Sequence, residues 1–161
     1  GSPSAYQSLQ SKRLDAAILG APFKWQAQDA GFKLLGTQAD EVSPTWPKHF
    51  YMAKSALIEQ KPHVVIALLR GHVAALRLAK ANPALAVQTL VDRLKYLPSY
   101  AQRAYAETMP SYDERGHIPE KAMPIFWKLT IAQGIVKAPL PESRYFDPRF
   151  VDTFATWAPK A

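Results

Sequence analysis

The stretch Ser11-Lys12-Arg13-Leu14-Asp15-Ala16-Ala17-Ile18-Leu19-Gly20-Ala21-Pro22-Phe23-Lys24-Trp25 decides how the chain is read. Residues 14–19 form a short, nearly uncharged run behind two basic residues. The run meets Gly20-Ala21-Pro22, a step no strand interior tolerates, because proline cannot donate to a ladder and glycine packs nothing. A helical pattern follows. A buried strand that stops this way and passes into a helix is the βα unit of an open α/β sheet. Ligands of such sheets sit beyond the carboxyl ends of the strands. Gly20, Ala21, Pro22, Phe23 and Trp25 are therefore the first candidates for a ligand-binding wall. Gly20 and Ala21 let a ligand approach the backbone, Pro22 fixes the turn and starts the helix, and Phe23 and Trp25 supply apolar area. The same stretch also reads as one βα turn among several, with no ligand.

Outward from this stretch, Ser2 reads as the N-cap of a helix with Pro3 at its first position. That helix ends near Lys12. After the second helix, Gly31 suits a left-handed C-terminal turn. Residues 32–35 read as a second strand and 49–53 as a third, with a loop over 37–48 held extended at Ser43-Pro44 and Trp46-Pro47. Beyond Ser55 strand signals all but vanish. Helices are predicted over 55–60, 62–81, 83–96, 98–109, 119–133 and 149–157, several opened by proline, with Pro124 a kink or the true start of its helix. In the long helix His63, Arg70 and Arg77 share one face, and Val65, Leu68, Leu69, Val73 and Leu76 fill the other. Three strands are too few for a stable parallel sheet. The chain therefore reads as part of a larger α/β protein that supplies the other strands.

The 161 residues suffice for a real core, and 48% hydrophobic against 20% charged residues is a globular balance. No apolar run approaches a membrane span, and residues 1–11 are polar, unlike a signal peptide. The absence of cysteine excludes disulfides, thiolate metal sites and a cysteine nucleophile. Twenty Lys and Arg against 13 Asp and Glu leave a net charge of +7. The basic residues are scattered, with no run of three, so the charge reads as solubility and no nucleic-acid partner is expected.

A family resemblance covers nearly the whole chain. Ser4-Ala5, Leu9, Asp15-Ala16-Ala17, Pro22, Gly31-Phe32-Lys33-Leu34-Leu35, Leu57-Ile58, Pro62, Asn82-Pro83 and Ala86 come in an order that resembles one type of periplasmic substrate-binding protein. This is the nitrate/sulfonate/taurine and thiamine-precursor type of the ABC importers. Gly116-His117-Ile118, Gly134-Ile135-Val136-Lys137 and Asp147-Pro148-Arg149-Phe150-Val151 extend the likeness to the C-terminal part. The resemblance implies the C-terminal half of a two-lobe clamshell with two hinge crossings, the type II periplasmic-binding fold. Residues 1–52 would be the later part of the second lobe, and 53–161 a helical return packed on the first. It also implies a location in the periplasm or at the extracellular face of the cell membrane, an anionic or heteroaromatic small-molecule solute, a membrane ABC permease as partner, and a missing N-terminal half. No catalysis, cofactor or metal goes with it. One departure is Lys12, where the family often has glycine; left-handed geometry there costs a lysine about 1 kcal/mol.

Two alternatives keep the implied fold. One is an enzyme making a thiamine-pyrimidine precursor, whose branch carries a cysteine-rich motif that this chain lacks. The other is a ligand-sensing regulatory domain. Among the remaining residues, Trp46 is a candidate pocket aromatic, with packing as its competing role. Arg13, Lys24 and Lys48 are candidate anion contacts, with plain solvation as theirs. His49, His63, His72 and His117 show no metal-ligand spacing, since His63 and His72 lie on different faces. The neighbours Asp40-Glu41 and Asp113-Glu114 do not oppose one another as acid–base pairs must.

Overall fold

The computed structural model describes residues 1–44, 46 and 49–160. Pro47 of the expected Trp46-Pro47 step and the Lys48 candidate lie outside the described residues. The helices, in order, are α1 (Ser2–Gln10), α2 (Phe23–Asp29), α3 (Gln38–Glu41), α4 (Ser55–Gln60), α5 (Pro62–Ala81), α6 (Pro83–Leu94), α7 (Pro98–Thr108), α8 (Ala122–Ala132), α9 (Arg149–Asp152) and α10 (Phe154–Trp157). Short 3-10 turns occupy Met109–Ser111 and Glu142–Arg144.

No described residue lies in a β-strand. The fold is all-α, which overturns the expected α/β sheet and, with it, the two-lobe clamshell. Residues 14–19, 32–35 and 49–53 form neither helix nor ladder. Each run exposes a large apolar side chain: Ile18 is 98% exposed, Leu35 82% and Met52 92%. A short apolar run becomes a strand only where a neighbour closes its hydrogen bonds and covers its face. Nothing among the described residues does so here.

The helices follow their local signals more closely. Asn82 caps α6 by accepting from the Leu85 N–H at 3.0 Å, with Pro83 behind it in the first turn. Pro124 falls in the first turn of α8, where its missing N–H costs no hydrogen bond, so the helix starts at Ala122 rather than at 119. Residues 149–157 form two short helices rather than one. The break is at Thr153, whose hydroxyl donates to the Arg149 carbonyl at 2.6 Å. Gly1 rather than Ser2 holds the N-cap position of α1, since Ser2 is already the first helical residue, and the Ser2 hydroxyl accepts from the Gly20 N–H instead.

Two compact units divide the chain. One comprises Gly1–Leu35 and Leu78–Tyr112, the other Gly36–Arg77 and the residues from Asp113 onward. In the first unit, the Arg13 and Leu14 N–H groups donate to the Ser8 carbonyl at 2.9 and 3.3 Å. The Gly20 N–H donates to Ser2 Oγ at 3.1 Å. These tethers run residues 14–20 back alongside α1. The turn between them has Lys12 left-handed at φ 57°, so the geometry is kept and the lysine bears the strain.

The second unit centres on Val73, Phe154 and Trp157, with Ile66, Leu69 and Phe150 packed around them. Ile66, Leu69 and Val73 recur at spacings of three and four, which puts one stripe of α5 into this core, and the buried Leu76 continues that stripe. Leu68, expected on that stripe, is 55% exposed.

Candidate functional site

The first unit holds a cleft of about 380 Å³ between the start of α2 and the corner joining α6 to α7. Ala21, Pro22 and Phe23 line one side, and Leu94, Lys95, Tyr96, Leu97 and Tyr100 the other. The corner forms because α6 ends at Lys95 in left-handed geometry, φ 57° and ψ 32°, and Pro98 opens α7 three residues later. On the opposite side the Ala21-Pro22 peptide is cis, and the Gly20 and Pro22 carbonyls accept the first N–H bonds of α2. The Tyr96 hydroxyl donates to the Ala21 carbonyl at 3.4 Å, joining the two sides.

Beneath the cleft the walls are fixed by an aromatic and ionic cluster. Trp25 is 1% exposed and stacks on Tyr100, with ring centroids 6.0 Å apart. The Lys24 ammonium and Arg103 guanidinium lie 5.0 and 4.9 Å from the Trp25 ring centroid, within cation–π range. Lys24 also pairs with Glu107 on α7. The Tyr100 hydroxyl donates to Asp29 at 2.5 Å, and this bond to a carboxylate raises the phenol pKa above its ordinary value. Tyr6 closes the back of the cluster, its ring 5.9 Å from Phe23 and its hydroxyl 3.4 Å from the Gln26 carbonyl.

The cleft is apolar along its walls, with few polar groups. Among the described residues that line it, Lys95 is the one charged side chain, and Gln26, Tyr96 and Tyr100 bring the polar side-chain atoms. Lys95 is exposed at the lip. Such a surface suits a small solute with a flat or apolar body and an acceptor or negative group within reach of an ammonium.

The candidates from the sequence separate here. Ala21, Pro22 and Phe23 line the cleft. Gly20 sits one residue before it, its N–H tied to Ser2; a Cβ built there meets Ser2 Oγ at 3.6 Å, an ordinary contact. Trp25 is buried under the wall and carries it without lining it. Trp46 belongs to the second unit, where its ring lies 5.7 Å from that of Phe126. Lys24 is an ion-pair partner of Glu107, and Arg13 lines a separate groove with Ser4, Gln7, Ser8 and Ser11. The α6–α7 half of the cleft lies about seventy residues further along and was not named from the sequence. Its one local sign is Tyr96 and Tyr100, four apart around Pro98.

Of the paired acids from the sequence, Asp113 serves a local turn and Glu114 a contact between distant segments. Asp113 accepts from the Arg115 and His117 N–H groups and meets the His117 ring at 2.9 Å. Its burial pushes the carboxyl pKa up, and these hydrogen bonds outweigh that and hold it below the usual range. Arg77 grips Glu114 through two nitrogens at 2.9 and 3.2 Å and donates to the Pro159 carbonyl at 2.5 Å. Among the described residues, no three His, Asp or Glu side chains gather as metal ligands. No helix among them is long and apolar enough to cross a membrane. No protein-family model, curated protein or solved structure matches the chain.

Proposed function

We propose that the chain binds a small solute in the cleft at Ala21-Pro22-Phe23, as the solute-capturing component of an ABC importer. In this role it works at the periplasmic or outer face of a membrane, delivers its solute to a permease, and performs no catalysis. The cleft itself carries the reading: it opens at the Gly-Ala-Pro step singled out from sequence, and its far wall comes from a distant corner. The resemblance to nitrate/sulfonate/taurine and thiamine-precursor binding proteins supports the same reading. The solute is anionic or heteroaromatic. Phe23, Leu94, Leu97 and the Tyr100 ring provide faces for a flat body, and Lys95 provides a cation. Solute binding rests on the cleft, and the importer role on the resemblance of sequence motifs; neither is argued from a clamshell.

The test begins with native mass spectrometry of the purified protein, before and after mild unfolding, to identify a released compound. Calorimetry then compares wild type, Leu97→Trp, which fills the cleft from an exposed position, and Arg70→Ala, an exposed site on α5 in the other unit. Leu97→Trp is expected to lower affinity by roughly a hundredfold, about 2.7 kcal/mol, and Arg70→Ala to leave it unchanged. Equal affinity in both variants, with helicity intact, would put the binding site elsewhere.

A further inference from the structure

Residues 14–20 combine three features that no other part of the first unit combines. After a bend at Asp15 their exposure alternates, with Ala16, Ile18 and Gly20 exposed and Ala17 and Leu19 half-buried, the period of an extended chain. The most exposed side chain is a large β-branched one, Ile18 at 98%. Between the tethers at Leu14 and Gly20, no backbone N–H or C=O of residues 15–19 bonds to another described group.

We propose that residues 14–20 are a docking edge for an extended polypeptide from another chain, taken up by strand addition. Unpaired N–H and C=O groups in a row present the pattern that a second extended backbone satisfies, and alternate side chains give it grip. The partner is an apolar, β-branched strand with acidic flanks. Charge complementarity argues for this: Lys12 and Arg13 stand exposed at the head of the edge and outnumber its one exposed acid, Asp15, and the chain carries +7. The same charge opposes a second copy of this chain as the occupant. Ala17 and Leu19, already half-covered, lie on one face of the added pair, and Ile18 offers the main open apolar contact on the other. The edge is separate from the cleft lining, so docking does not depend on the solute.

The probe is a labelled peptide of about eight residues, alternating valine and threonine between aspartates, titrated against the full chain by fluorescence anisotropy. Two control peptides carry either lysine flanks or N-methyl groups on alternate amides. The acidic-flanked peptide is expected to bind, and Ile18→Ser, the lysine flanks and N-methylation are each expected to weaken it by roughly tenfold or more. Saturating peptide should slow amide exchange at residues 15–19 and leave α6 and α7 unchanged. Four outcomes overturn the proposal. They are no binding, equal binding of the N-methylated peptide, no slowing at 15–19, and a concentration-dependent dimer that Ile18→Ser abolishes.

Discussion

The two units solve the same problem with different materials. The first buries an indole and braces it with polar groups: Trp25 lies against Tyr100, two cations approach its ring, and Tyr100 is tied to Asp29. The second buries aliphatic and aromatic carbon, Val73 against Phe154 and Trp157, and has a half-buried ion pair, Arg77 with Glu114. In the first, directional bonds decide where the aromatic walls stand, and a cleft lies directly above them. In the second, packing is satisfied by shape, and the polar contacts tie chain segments together. A core built around one large ring depends on that ring, whereas one shared among several side chains spreads its losses.

The sharpest break is therefore Trp25→Ala. It should destabilise the first unit by about 3–5 kcal/mol, because a nearly fully buried indole leaves a cavity its neighbours cannot fill. Val73→Ala in the second unit should cost about 2 kcal/mol, since less volume is removed. Urea unfolding with amide exchange read separately over the two units checks both. Equal losses, or loss of protection in the wrong unit, would erase the contrast.

A finer cut is Tyr100→Phe, which keeps the ring and removes the bond to Asp29. The expected loss is about 1.5 kcal/mol, that of one hydrogen bond to a charged acceptor. Spectrophotometric titration of the wild type should show one tyrosine ionising above the ordinary value, and the variant should lack it. If Tyr100→Phe were neutral in both readouts, the bracing would be ornamental.

The smallest effect expected is in acid. Asp147 is held below the usual carboxylate range by its hydrogen bond from Arg149, and Asp113 by its turn bonds; both lie in the second unit. A depressed pKa means the folded state holds its proton less tightly than the unfolded chain. The stabilisation is thus complete above the unfolded value near about 3.9 and is lost as pH falls through the lowered folded value. Thermal unfolding at about pH 6 and about pH 3 should show Asp147→Asn less acid-sensitive than wild type. Identical acid sensitivity would show that the pairing with Arg149 contributes nothing in solution, as exposed pairs often do.

How much of this was legible varied by element. The helix starts at Pro62, Pro83 and Pro98 were read directly, because a proline's fixed φ and missing N–H act within one turn. The short helix α3 was missed, though its signal was there: Thr37 accepts from the Asp40 N–H at 3.2 Å, a cap visible as Thr-x-x-Asp. The strands at 14–19, 32–35 and 49–53 were misread for a different reason. Their apolar runs are real, but a strand is a relation between two segments, and the second is not among the described residues.

The sequence by itself determined that helices begin at Pro62, Pro83 and Pro98, where Gly31 and Gly134 end helices in left-handed geometry, and that a helix opens just after Gly20-Ala21-Pro22. These are local facts, set by the dihedral limits and hydrogen-bonding capacity of single residues. Only the tertiary structure decided that Trp25 supports the cleft from below, that Lys95, Tyr96 and Leu97 form its other wall, and that Trp46 belongs to another unit. Those are pairings across many residues of chain. They depend on which faces find cover and which hydrogen bonds find partners, and no single segment carries that information.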